Sequence, residues 1–233
     1  MNPIVAAAGG FFRNLDAAKW GDIGQATLDT LLMLAGALPL TLLIGLPLGV
    51  ALFLCGAPQL RRRPLLYGAL AALINLLRSV PFIILMIAMI PLTLILMGTS
   101  LGVRGAILPL VVGAAPFYAR LVETALREVD RGIIEASQAM GASTRQLVLR
   151  VLLPEARPGL IAGATVTTIA LIGFTAMGGA IGSGGLGDVA YREGYLRSHS
   201  DVALITVIAL LVLVLVQVLQ MLGDRLVAYY SRR

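Results

Sequence analysis

The chain has 233 residues, of which 58% are hydrophobic and 13% charged, with a mean hydropathy of +0.92 and a formal net charge of +6. Ordinary globular domains carry about 25% charged residues, so this composition excludes a water-soluble fold and requires a polytopic membrane protein. One cysteine (Cys55) excludes an intrachain disulfide, one histidine (His199) excludes a clustered metal site, and the only lysine, Lys19 in the context AAKW, excludes the phosphate-binding loop that ends in Gly-Lys-Ser/Thr.

The N-terminal stretch MNPIVAAAGGFFRNLD has no basic leader followed by an apolar run, so no cleaved signal peptide is expected and the first span serves as the insertion signal. Crossing ~30 Å of hydrocarbon takes about 20 apolar residues, and five runs meet or approach this: 30–54, 65–97, 103–119, 158–180 and 202–222. The fold class expected is therefore all-α, with five transmembrane helices in a single transmembrane domain. Residues 65–77 cannot span alone. The run 65–97 reads as one tilted helix with its first turns in the interface, Asn75 and Arg78 near its polar end, and a kink allowed by Pro81. Arg104 and Arg120 border the short third run, where their stems extend the effective span by snorkelling.

Orientation follows from the basic residues. Arg61, Arg62, Arg63, Arg120, Arg127, Arg131, Arg145, Arg150, Arg157, Arg225, Arg232 and Arg233 fall on one side, against Arg13, Lys19, Arg104, Arg192 and Arg197 on the other. The richer side faces the cytoplasm, which puts the N-terminus out and the C-terminus in. The same rule accounts for the basic balance, so no nucleic-acid partner is expected.

Between the third and fourth runs lies a polar insert, 130–154. Asp130 is suited to N-cap a helix over about 131–140, on which Ala136, Ala139 and Met140 form a face of small bulk, and Gly141 ends it. Ser143 caps the next helix with Gln146 three residues on, as a capping box requires. Leu147, Val148, Val151 and Leu152 then make its apolar side, and Pro154 stops it. Helices this short are marginal unless packed on something, which favours a docking surface for a soluble partner over a solvated loop.

The residues of this insert resemble the EAA motif of binding-protein-dependent ABC importer permeases: Glu135, Ala136, Gly141, Val151, Leu153 and Pro154 keep its spacing, with Ser137 in place of the third Ala and Val151 in place of Ile. The resemblance implies that these helices enter a cleft on a cytoplasmic ATPase subunit and transmit its closure, with Glu135, Ala136, Gly141, Leu153 and Pro154 as ATPase-coupling residues. A narrower similarity, to methionine-uptake permeases of the same superfamily, rests on Arg78-Ser79-Val80-Pro81-Phe82, on Gly113-Ala114-Ala115-Pro116-Phe117 and on FTAMGGAIGSGGLG, 174–187. It implies a homodimer, two ATP-binding subunits, and a lipid-anchored or periplasmic substrate-binding protein. It also implies a gate or translocation path at Met177, with Phe174 and Gly178 beside it. Ordinary helix packing is the other reading open at Met177, where a flexible thioether stands beside small residues.

Residues 182–187 also read G-x-G-x-x-G. That dinucleotide fingerprint has meaning only between a strand and a helix, and here an apolar span precedes it, so a glycine-rich turn is expected instead. None of the five runs has a central carboxylate, since Asp29 and Glu123 lie near span ends, which disfavours a proton- or sodium-driven carrier. Arg78 is the one charge in the interior of a run, and helix-end snorkelling accounts for it; His199 reads as a surface residue. The expected function is thus the non-catalytic permease subunit of an ATP-driven importer in a bacterial inner membrane, without metal or cofactor. It would pass methionine from a binding protein to the cytoplasm, with another small solute, or a channel-like or assembly role, as alternatives.

Overall fold

The computed structural model describes residues 17–57, 63–197 and 202–231. The expectations for the N-terminal leader and for His199, and Arg13, Arg61, Arg62, Arg232 and Arg233 of the charge count, lie outside the described residues. Among those described there is no strand. The helices are α1 (Ala17–Gly56), α2 (Pro64–Ser79), α3 (Phe82–Ala88), α4 (Ile90–Met97), α5 (Gly102–Arg127), α6 (Arg131–Ala139), α7 (Thr144–Gln146), α8 (Leu153–Glu155), α9 (Arg157–Gly179), α10 (Leu186–Val189) and α11 (Val202–Ser231). Leu147–Leu152 and Ala190–Arg197 are π-helical. Among the described residues four helices are long and apolar enough to cross a membrane (Lys19–Gly56, Gly102–Arg127, Arg157–Gly179 and Val202–Ser231), and the count reaches the expected five only if the bent pair α2 and α3 is one span rather than a re-entrant loop.

The run 65–97 is not the continuous tilted helix expected from its apolar length. Val80 is extended (φ −80°, ψ 124°), as a residue before proline tends to be, and the chain restarts as α3 after Pro81. It breaks again at Met89 (ψ −5°), next to Pro91, whose missing N–H removes a helical donor. The third span also differs from its expected limits. It continues past 119 to Arg127, so Arg120 lies within the helix rather than at its border.

The chain divides into two compact units. The first comprises residues up to Ala37, Phe82–Leu110 and Leu171–Gln217. Its core joins Ile23 and Ala26 of α1, Leu186, and Leu204, Val207 and Ile208 of α11. The second comprises Leu38–Pro81, Val111–Ala170 and the chain from Val218 on, and its main core joins Phe53, Tyr118, Val122, Ala125, Leu126, Ile134, Leu147 and Leu152.

Apolar side chains give helices no reason to associate in lipid, so small residues that let backbones approach decide the packing. In the second unit two such pairs flank α5. A Cβ at Gly49 would lie 2.5 Å from the Ala119 carbonyl and 2.5 Å from Val122 Cβ, and one at Gly45 would lie 2.8 Å from the Tyr118 ring. On the α9 side a Cβ at Gly159 would meet Ala125 Cβ at 2.9 Å, and one at Gly163 would meet Leu121 Cβ at 3.2 Å. Helix α5 is thereby held closely by α1 and α9 where it leads into the polar insert.

Candidate functional site: the polar insert and the glycine-rich end of α9

The insert forms because its ends are capped and one face is buried. Asp130 accepts from the amides of Gly132 (2.7 Å) and Ile133 (3.3 Å), which satisfies two of the donors a helix start leaves open. Helix α6 ends at Met140, and Gly141 turns the chain with φ +80°, in the left-handed region where a side chain costs about 1–2 kcal/mol. The Ser143 hydroxyl then accepts from the Gln146 amide (3.3 Å) while the Gln146 side chain accepts from the Ser143 amide (2.8 Å), completing the capping box.

Ile134, Leu147 and Leu152 are buried against Phe53, Val122, Ala125 and Leu126, and each such burial stabilises by roughly 1.5–3 kcal/mol. Packing of this kind is what two helices of a few turns need to persist. The opposite side stays open: Glu135, Ala136, Ala139, Gly141 and Leu149 are exposed, and Met140 is 82% exposed. Leu153 and Pro154 are half-buried at the base of the segment. The insert therefore offers a corner of small side chains, one carboxylate and one large thioether, mounted on an apolar base.

Pro154 does not stop the helix. The preceding turn widens to π geometry over Leu147–Leu152, with the Leu153 amide donating to the Val148 carbonyl, and Pro154 sits in the first turn of α8. Helical bonding then runs on, the Ala156 amide donating to Leu152 (2.9 Å) and the Leu160 amide to Ala156 (2.9 Å), into α9 with Pro158 as its second residue. A widened turn accommodates the proline, which lacks a donor and would clash with the carbonyl four residues back in a regular α-helix.

At the far end of α9, within the first unit, Phe174 stacks on Phe82 with ring centroids 4.4 Å apart and planes 8° from parallel. Gly178 is buried; a Cβ there would lie 2.7 Å from Ser183 Oγ and 3.3 Å from the sulfur of Met86. Met177 is 51% exposed, on a side of the helix that this chain leaves open. The structure thus gives Phe174 and Gly178 packing partners in their own unit and leaves only Met177 of the three presenting its side chain. The glycine run that follows is a turn: Gly182, Gly184 and Gly185 have positive φ, the Gly102 amide donates to the Gly182 carbonyl, and the Leu186 amide donates to Thr30 Oγ1. With a helix on either side and no strand, it is not a dinucleotide loop.

Sequence reasoning treated Glu123 as a span-end carboxylate, yet its side chain is 2% exposed and fully engaged. Arg120 Nη1 donates to Oε2 (2.5 Å), Arg127 Nη2 (2.7 Å) and Nε (3.1 Å) donate to Oε1, and the Tyr67 hydroxyl donates to Oε1 at 3.2 Å. Arg120 also donates to Asn75 Oδ1 at 2.9 Å. The signal was present in the spacing, an arginine three residues before and another four after a glutamate, which places all three on one helical face. Arg78, by contrast, lies at the end of α2, exposed, with its guanidinium 5.9 Å from the Phe117 ring centre, an arrangement suited to cation–π attraction.

The chain matches the family model described as "Binding-protein-dependent transport system inner membrane component" over residues 43–233. It is 45% identical to the methionine import system permease protein MetP of Bacillus subtilis (strain 168), over 96% of this chain and 98% of that protein. It is also 45% identical to the probable D-methionine transport system permease protein MetI of Vibrio cholerae, over 89% and 92% respectively. Among solved structures it resembles a chain of the inward-facing MetNI methionine ABC transporter, with TM-score 0.88 and 44% identity over 92% of this chain and 99% of that one. A helical bundle with a capped, exposed insert at the motif position and relatives matched along nearly their whole length lead to one assignment: this chain belongs to the family of inner-membrane permease components of binding-protein-dependent transport systems.

Proposed function

We propose that this chain is the permease of an ATP-driven importer for methionine, working as a homodimer with two cytoplasmic ATP-binding subunits and an extracytoplasmic substrate-binding protein. The observation that carries the reading is the insert 130–154, capped at both helix starts, buried on one face and open at Glu135, Ala136, Gly141 and Met140. Methionine as cargo is supported by the names of relatives matched along nearly their full length. The arginine count supports an insert facing the cytoplasm, with the N-terminus outside.

The physical sequence is short. ATP binding draws the two ATPase subunits together, each carries an insert with it, and the helices continuous with the insert move between inward- and outward-open arrangements. Only a difference in free energy between those arrangements lets ATP drive the exchange. Glu135 and the small-residue corner dock, Gly141 sets the angle between α6 and α7, Leu153 and Pro154 join the insert to α9, and Met177 stands in the translocation path.

Proteoliposomes holding the complete complex test this. ATP-dependent accumulation of labelled methionine is expected, lost on Glu135→Arg although the protein still inserts. Accumulation by the permease alone, or unaltered uptake by the Glu135→Arg complex, would overturn the reading.

A further inference from the structure

We propose that Glu123 is a positioning residue for energy coupling, the centre of a charge-assisted hydrogen-bond latch that fastens α2 to α5 beside the insert, so that a displacement of the insert moves both helices together. The inference rests on the coupling role proposed above for the insert. A carboxylate excluded from solvent is costly unless charged and hydrogen-bonded partners meet it; here Arg120 and Arg127 of its own helix hold it, and the three residues together reach α2 through the Tyr67 hydroxyl and Asn75. Tyr67 and Asn75 belong to α2, whereas Arg120, Glu123 and Arg127 belong to α5. Arg127 Nη2 also lies 3.4 Å from the Tyr67 hydroxyl, and a Cβ at Gly56 of α1 would meet both the Tyr67 ring (2.9 Å) and Arg127 Nη2 (3.1 Å). Two helices meet at the carboxylate, and Gly56 of α1 closes on the Tyr67 and Arg127 side chains beside it.

Its place along α5 gives the latch its function. Val122, Ala125 and Leu126, on either side of Glu123, form the apolar base on which Ile134, Leu147 and Leu152 of the insert rest. A push on the insert therefore reaches α5 through close-packed side chains; from there α2 is joined by the apolar cluster of Ile74 with Ala119 and Leu52 and, closer to the insert along α5, by the polar network centred on Glu123.

The experiment uses the complete importer. Glu123→Gln keeps the shape and removes the charge, and the methionine taken up per ATP hydrolysed is expected to fall about ten-fold, within the range of a lost coupling. Complex yield and ATP hydrolysis are expected to persist, Glu123→Asp to recover part of the ratio, and Tyr67→Phe to lie between. An unchanged ratio overturns the proposal, as does loss of uptake and hydrolysis in parallel, which marks a merely structural residue. If Glu123→Gln does not assemble, Tyr67→Phe decides by the same ratio. Spin labels at Leu65 and Glu128, in a Cys55→Ser background, read the latch directly. One narrow distance is expected in the unsubstituted permease with and without ATP, and a broadened one in Glu123→Gln; equal distributions overturn the latch. An unsubstituted complex that takes up no methionine overturns the functional reading alone, since the distances without nucleotide still report on Glu123.

Discussion

At the scale of single residues, Gly141 and Glu123 show opposite limits of sequence reading. Gly141 was legible because a glycine just after a helix and before a Ser-x-x-Gln box marks a helix end that turns into the left-handed region, and φ +80° is the angle it takes. No other atom lies within 4 Å of a Cβ placed there, so Gly141→Ala introduces backbone strain without a clash. We expect it to cost about 1–2 kcal/mol, seen as a lowered thermal midpoint of the purified permease. Glu123 was read only as a carboxylate near a span end, and its arginines only as orientation signals and, for Arg120, as a snorkelling border residue. Burial of a charge is decided by what surrounds it in three dimensions, and neither Tyr67 nor Asn75 is near it in sequence.

At the scale of elements, the apolar runs gave the spans because hydrocarbon thickness sets a length that side-chain hydropathy alone reveals. Limits and breaks were less legible. Extension of α5 to Arg127 takes in charges that are paired along the helix, Arg120 and Arg127 with Glu123, and the two prolines differ by the turn before them: Pro81 follows an extended Val80, whereas Pro154 follows a π turn that absorbs it. Close helix contacts were invisible, because Gly45 and Gly49 read as ordinary glycines until α5 is placed against them. Gly49→Leu would drive its side chain into the Ala119 carbonyl and Val122, and overpacking of this kind costs roughly 1–3 kcal/mol or more. A reduced yield of folded permease in detergent is the expected result, with Gly21→Leu, whose Cβ meets no other atom within 4 Å, as the tolerated control. Loss of the cap in Ser143→Ala should cost about 1 kcal/mol, read as faster amide exchange over 144–152 while α6 is unaffected.

At the scale of the whole molecule, the face at Met177 bears on assembly. With 51% of its surface open in the single chain, a Met177→Cys variant in a Cys55→Ser background is expected to form a disulfide-linked dimer on mild oxidation, with a yield that changes on adding ATP to the complete importer. A yield indifferent to nucleotide would remove Met177 from any moving seam. The widened turn at Leu147–Leu152 lies between the corner at Gly141 and α9. Each residue in a regular helix turns the chain by about 100°, whereas a wide turn takes up one extra residue over nearly the same rotation. Excising Leu149 together with Pro154→Ala would close it to ordinary pitch and leave Glu135 facing as before. Removing one residue more would swing Glu135 by about 100° relative to α9, and such a protein is expected to insert yet lose ATP-dependent uptake.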